Sequence, residues 1–301
     1  MATAPFIPEG LWLPIITPFS DDGNVDFESL QRVAERLLGD GVDGLVPLGT
    51  TGEPATLSSA ERDRVVEVCS AACRLFDKPL IVGAGSNSTP GTLEEIRRLA
   101  DLAPVAAALI VVPYYTRPSR QAIIDHFHLV ADESPIPLIA YNVPYRTGSS
   151  LDADALVAIG SHPNIVGLKQ AVGMVDEPTL DLLRRTPDDF NVLAGDDLFI
   201  VPSILMGAAG AIAAAAHLCT PTFVAMVAAA SNGEVTMARD LARSLHPVVT
   251  AGFSEPNPAV WKGALHQRGD IGSPGLRRPM TAASDPAVAR AVAAVAALES
   301  V

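Results

Sequence analysis

The chain has 301 residues, 49% of them hydrophobic and 18% charged, a balance suited to a globular protein with a large core. That length admits two average domains, or one large α/β barrel with an appendage. The formal net charge of −13 argues against nucleic acid or an anionic membrane surface as a partner, because the long-range field repels both.

The N-terminal Met-Ala-Thr-Ala-Pro-Phe-Ile-Pro lacks the basic and apolar regions of a secretory leader. The longest apolar stretches, around 105–113 and 207–216, are about half a membrane span. Cys69 and Cys73 lie four apart, Cys219 is remote, and no C-x-x-C occurs. A cytoplasmic protein with reduced, structural thiols is expected. The six histidines, His126 and His128 among them, show no metal-ligand spacing, so no metal site is expected.

In chain order, strands are predicted at 12–17, 44–48, 80–84, 107–113, 138–142, 165–169, 191–195 and 210–213. Amphipathic segments such as 26–38, 59–76, 92–102, 120–133 and 152–159 separate them. Asp26 ahead of Phe27-Glu28-Ser29, and Ser58-Ser59-Ala60-Glu61 as a capping box, supply helix entries. Eight strands with helices between them predict an α/β fold of the (β/α)8 TIM-barrel type. A doubly wound sheet is the alternative, but the turn after its first strand, Thr17-Pro18-Phe19-Ser20, has no G-x-G-x-x-G. Beyond about residue 220 the strand signal stops, and 222–230, 233–245, 258–267 and 285–298 read as helices. The division expected is a barrel over 1–230 carrying the active site and a C-terminal helical extension over 231–301 packed on it.

In such a barrel, chemistry gathers at the C-terminal ends of the strands. There stand Gly49-Thr50-Thr51-Gly52-Glu53, Gly83-Ala84-Gly85-Ser86-Asn87 and Pro113-Tyr114-Tyr115-Thr116-Arg117-Pro118. Further along come Tyr141-Asn142-Val143-Pro144-Tyr145-Arg146-Thr147-Gly148, Lys169, and Gly195-Asp196-Asp197. Each has an ordinary reading: a tight turn, core or interface aromatics, a loop arginine paired at the surface, an aspartate pair capping a turn rather than binding magnesium. Lys169 is the sharpest. The chain has three lysines against eighteen arginines, yet one closes the apolar run Asn164-Ile165-Val166-Gly167-Leu168-Lys169. A lysine can lose its proton when desolvated and become a nucleophile, whereas arginine stays charged. Lowering its pKa to about 7–8 raises the neutral fraction about a thousandfold. A lysine snorkelling from a strand end is the alternative. The joint placement of these groups on successive strand ends points to a site.

Gly49-Thr50-Thr51-Gly52-Glu53, Tyr141-Asn142-Val143-Pro144 with Arg146-Thr147-Gly148, and Gly167-Leu168-Lys169 resemble signatures of the pyruvate-dependent class I aldolase family, which includes dihydrodipicolinate synthase and N-acetylneuraminate lyase. The resemblance runs from Pro14-Ile15-Ile16-Thr17-Pro18-Phe19 through Glu255-Pro256-Asn257-Pro258 to Arg278-Pro279-Met280-Thr281. The Tyr-Asn-Val-Pro-x-Arg-Thr-Gly and Tyr-Tyr-x-Arg-Pro forms are similar to the synthase branch. Gln170 stands where a glutamate is common, and His217 where an asparagine is frequent.

The resemblance implies a lyase in which Lys169 forms a Schiff base with pyruvate, with no separate cofactor and no metal. It implies that Tyr141 shuttles protons and that Thr50 links Tyr141 to Tyr115, contributed by a neighbouring subunit of a homodimer or a dimer-of-dimers tetramer. Thr51, Arg146, Ile212 and Gly195 complete the implied substrate-binding set. Arg146 would hold the carboxylate of L-aspartate 4-semialdehyde, and 4-hydroxy-tetrahydrodipicolinate would leave toward diaminopimelate and lysine. Another pyruvate-dependent 2-keto-acid aldolase or hydratase-aldolase on the same scaffold is the alternative, with a non-catalytic keto-acid-binding barrel as the remote one. Where lysine-inhibited synthases offer small polar, histidine and glutamate side chains, this chain has Pro54, Ser59, Arg62 and Gly91, with Asn87 and Tyr114 retained. Weak or absent lysine inhibition is expected.

Overall fold

The computed structural model of the chain describes residues 6–187 and 189–300; residues 1–5 of the stretch read for a leader lie outside them. The strands are β1 (Gly10–Leu13), β2 (Gly44–Leu45), β3 (Ile81–Gly83), β4 (Ala107–Val111), β5 (Leu138–Asn142), β6 (Ile165–Gln170), β7 (Asn191–Ala194) and β8 (Gly210–Ile212). Their order is β2-β1-β8-β7-β6-β5-β4-β3, and every paired neighbour is parallel. A single bridge, Leu45 to Leu80, closes the circle between β2 and β3, and the Gly83 N–H donates to the Pro47 carbonyl at 3.0 Å beside it. Helices lie between the strands, so this is the expected (β/α)8 barrel. The extension consists of Val235–Gly252, Ala259–Gln267 and Asp285–Glu299.

Local chemistry accounts for the helices. Phe27–Gly39 starts where the Asp26 carboxylate accepts from Ser29 N at 2.9 Å, and it buries Leu30, Val33, Ala34, Leu37 and Leu38, one stripe of a 3.6-residue period. Ser59–Leu75 carries the capping box of Ser58 and Glu61. Six strands, β1 to β4, β7 and β8, are shorter than expected, and local chemistry explains the first two. β1 stops before Pro14, which has no N–H for a ladder. The ladder of β2 ends because Pro47 lacks a donor and Leu48 is left-handed at φ 57°. The helices Glu177–Arg185 and Ile200–Leu205 were not among the predicted segments. Each carries a proline in its first turn, where proline is tolerated although it reads as a breaker.

Alternation sorts the strand residues into two layers. Trp12, Val46, Ile81, Leu109, Ile139, Leu193 and Ile212 fill the barrel interior. Leu11, Leu13, Ala108, Ile110, Leu138, Leu168 and Val192 face the helices. One irregularity decides where the chemistry falls. Leu138 pairs with Ile165, but Ile139 pairs with Gly167, so Val166 is an extra residue in β6. Unbulged pairing would set Leu168 beside Tyr141. With the bulge, Lys169 takes that place, and register partners share a face, so the amine turns into the barrel. Gly167 permits this approach, because a Cβ there would meet the Asn191 carbonyl oxygen at 2.6 Å.

Candidate active site

At the C-terminal end of the barrel lies a cavity of about 350 Å³. Leu109, Tyr141, Lys169 and Ile212 rise into it from the strands, and Gly49, Thr50, Thr51, Tyr145, Arg146, Gly195, Asp196 and Asp197 line it from the loops after them. The extension covers one side with Val249, Thr250, Phe253 and Asn257.

Lys169 is 7% exposed, and its Nζ lies 4.6 Å from the centre of the Tyr141 ring. Burial pushes its pKa down to about 8, against the opposing pull of Asp197, Tyr145 and Asp196. At that value about a tenth of the amine is neutral at pH 7, several hundred times the fraction of an ordinary lysine. Lys262 is also lowered to about 8, first by burial. Access separates the two: Lys262 is fully buried against Glu53, whereas Lys169 opens on the cavity. Lys78 sits at the surface, 3.5 Å from Asp43.

Tyr141 is itself buried, which raises its phenol pKa, while Arg146 and a hydrogen bond with Thr50 oppose the rise. The phenol therefore stays protonated at neutral pH, able to give a proton beside the amine and take it back. Thr50 and Thr51 begin the one-turn segment Thr50–Gly52, so their N–H groups have no preceding helical carbonyl to bond. The Thr51 hydroxyl accepts from Asn257 Nδ2 at 3.0 Å. Gly195 keeps space beside the Lys169 side chain, since a Cβ there would meet Lys169 Cε at 3.0 Å and Ala171 Cβ at 2.8 Å. Arg146, on the short helix Pro144–Thr147, is exposed at the mouth, its guanidinium 5.3 Å from the Tyr145 ring centre.

The family model of the dihydrodipicolinate synthetase family matches residues 8–298. The chain belongs to this family. A 4-hydroxy-tetrahydrodipicolinate synthase of Haloarcula marismortui is 42% identical over 276 residues, 92% of this chain and 89% of that protein. The chloride-inhibited dihydrodipicolinate synthase of Acinetobacter baumannii, solved with pyruvate, superposes with a TM-score of 0.93 at 32% identity, over 97% of this chain and 99% of that one. The DHDPS of Cyanidioschyzon merolae with lysine bound gives 0.91 at 31% identity, over 97% and 99%.

Of the site residues expected in this dihydrodipicolinate synthetase family member, seven share the cavity: Lys169, Tyr141, Thr50, Thr51, Arg146, Gly195 and Ile212. Tyr115 does not line it. Its side chain is 89% exposed, on a left-handed residue at φ 68°. The aspartate pair, read as a cap, does hold backbone: Asp197 accepts from Ala215 N at 2.7 Å and Asp196 from Gly173 N at 2.7 Å. Yet both also face the cavity, and burial raises the Asp197 carboxyl to about 6. His217 stands behind the strands. Its Nε2 accepts from Ile16 N at 3.2 Å, its Nδ1 bonds the Ala214 carbonyl at 2.8 Å, and burial lowers its pKa to about 4. It is a neutral brace between the first and last strand ends rather than a cavity wall.

Val249, Thr250 and Phe253 carry no local sequence signal, because their approach to the mouth depends on packing across the whole chain length. Asn257 stands out in the sequence only as part of Glu255-Pro256-Asn257-Pro258. Among the described residues no group of three or more His, Cys, Asp or Glu side chains can hold a metal ion, and no helix is long and apolar enough to cross a membrane. Cys69, Cys73 and Cys219 are free and buried.

Proposed function

We propose that the protein is a 4-hydroxy-tetrahydrodipicolinate synthase, a Schiff-base lyase that condenses pyruvate with L-aspartate 4-semialdehyde. The observation that carries this reading is the Lys169 amine, lowered to about 8 in the cavity beside the protonated Tyr141 phenol. The neutral amine attacks the pyruvate ketone. Tyr141 gives a proton to the departing hydroxyl, so one water leaves and an iminium remains. The iminium draws electrons from C3, whose proton is lost, and the resulting enamine adds to the aldehyde carbon. The amino group of the bound semialdehyde then displaces Lys169 as the ring closes. No step requires a metal or a separate cofactor.

The remaining roles follow the cavity. The Thr50 and Thr51 hydroxyls and N–H groups receive the pyruvate carboxylate, with Ile212 and Gly195 shaping the space beside it. Arg146 meets the second carboxylate as a planar fork suited to that shape. Tyr115 reaches the Thr50–Tyr141 pair of a neighbouring subunit, so the working form is at least a homodimer, with a dimer of dimers as the tetramer. The chemistry belongs to the barrel unit, 1–230, and the helical unit, 231–301, walls one side of its mouth. A cytoplasmic setting, supplying both small substrates, fits this role.

A panel of aldehydes offered with pyruvate to the purified protein tests the reading. Aspartate semialdehyde is expected to be the preferred acceptor, and Arg146→Ala to lower kcat/KM for it by about 10²-fold, the loss of a charge-assisted fork. Preference for a polyhydroxylated or uncharged aldehyde, unaffected by Arg146→Ala, assigns the scaffold to a sister aldolase. Lysine at millimolar concentration is expected to inhibit turnover weakly or not at all. Gly91 offers no carboxylate to the lysine amine, and Arg62, paired with Glu95 at 3.0 Å, adds a cation of its own. Clear suppression of turnover by lysine contradicts this account of the cleft.

A further inference from the structure

A second buried lysine lies behind the same loop. Lys262 Nζ donates to Glu53 Oε1 at 2.7 Å and to the Gly275 carbonyl at 2.9 Å, and it lies 4.0 Å from the centre of the Phe19 ring. Glu53 Oε2 accepts from Arg277 N at 3.2 Å. Both side chains are shut from solvent, at 0% and 3% exposure. This is an expensive arrangement to leave half-made, because one buried charge without the other is strongly unfavourable.

Its place in the chain suggests what it does. Glu53 closes the Thr50–Gly52 turn in a left-handed conformation, φ 53° and ψ 42°, which a residue with a Cβ avoids unless held. Its carboxylate is anchored by Lys262 and Arg277 N, both outside the barrel strands. Five residues before Lys262, Asn257 grips the same turn from its other end through the Thr51 hydroxyl. The extension therefore holds the turn at two points, Thr51 and Glu53, on either side of Gly52. Lys262 and Glu53 do not line the cavity, so they act through the turn.

We infer that the Lys262–Glu53 pair is a positioning device that sets the Thr50–Thr51 hydroxyl and N–H groups for the keto-acid carboxylate. The inference rests on the reading of that turn as the pyruvate carboxylate site. It predicts that disturbing the pair weakens pyruvate binding while sparing the amine chemistry of Lys169.

The test is borohydride trapping of pyruvate on full-length protein, followed across pyruvate concentration. The double variant Lys262→Met with Glu53→Leu removes both charges together and avoids a stranded one. For a folded double variant, the pyruvate concentration at half-maximal trapping is expected to rise at least tenfold, with the maximal trapping rate within about threefold of the parent. Glu53→Gln keeps an oxygen for Lys262 and is expected to fall between the two. If the double variant does not fold, Glu53→Gln alone decides, with a rise of threefold or more expected. A folded variant with unchanged half-saturation overturns the inference and leaves the pair a purely structural clasp. Absence of any adduct in the parent protein overturns instead the Schiff-base reading on which it rests.

Discussion

Lys169→Met is expected to abolish pyruvate adduct formation and turnover while making the folded protein more stable at pH 7. The sign follows from the amine itself. Its folded pKa is about 8, below the ordinary 10.5, so between those values the folded state binds fewer protons than the unfolded one. Stability therefore rises with pH across that window, and the penalty is fully present below it. The full shift corresponds to about 3 kcal/mol at neutral pH. Methionine is apolar and of similar length, so it keeps most of the packing without the charge. Part of the gain is lost because Asp197, already raised to about 6 by burial, loses a neighbouring cation. A net stabilisation of about 1–3 kcal/mol is expected from denaturant unfolding at pH 7, shrinking as the pH approaches 10.5. Equal stability of parent and variant at both pH values means that the buried amine carries no such penalty. This is the usual conflict between a reactive site and a stable fold.

Tyr141→Phe is expected to lower kcat by about 10²–10⁴-fold, the span for a lost proton shuttle. The ring stays, and with it the face that Lys169 approaches at 4.6 Å, so the amine keeps most of its surroundings. What goes is the hydroxyl, and with it the hydrogen bond to Thr50. The phenol pKa is raised by burial, so the parent side chain is a neutral phenol with a proton to give, and phenylalanine removes that proton outright. Trapping of pyruvate on Lys169 is expected to persist at a reduced rate. Near-normal turnover in this variant makes Tyr141 a packing residue.

Barrel and site were unequally legible from sequence. All eight strands fell at or within a few residues of the predicted positions, because buried parallel strands read as short β-branched runs between turns. Their ends were less legible, since Pro14, Pro47 and the left-handed Leu48 stop the ladders by local geometry. Lys169 stood out through composition and position, yet plain alternation from Val166 would turn it toward the helices. The bulge at that residue reverses the direction, and nothing in Ile165-Val166-Gly167 announces it beyond the glycine. The seven clustered site residues sit at or just beyond strand ends, where barrel topology alone collects them. The walls from Val249, Thr250 and Phe253 depend on helix packing between segments far apart in sequence, which no local pattern encodes. Tyr115 marks the other limit, for one chain leaves it 89% exposed, and its proposed role needs a second copy.

The most direct measurement is the pH dependence of pyruvate trapping by borohydride, with the modified lysine located by peptide mass spectrometry. The predicted result is an adduct on Lys169 alone, with a trapping rate that rises through an apparent pKa near 8. An adduct on Lys78 or Lys262, or a Lys169 amine that titrates like a free lysine near 10.5, contradicts the account.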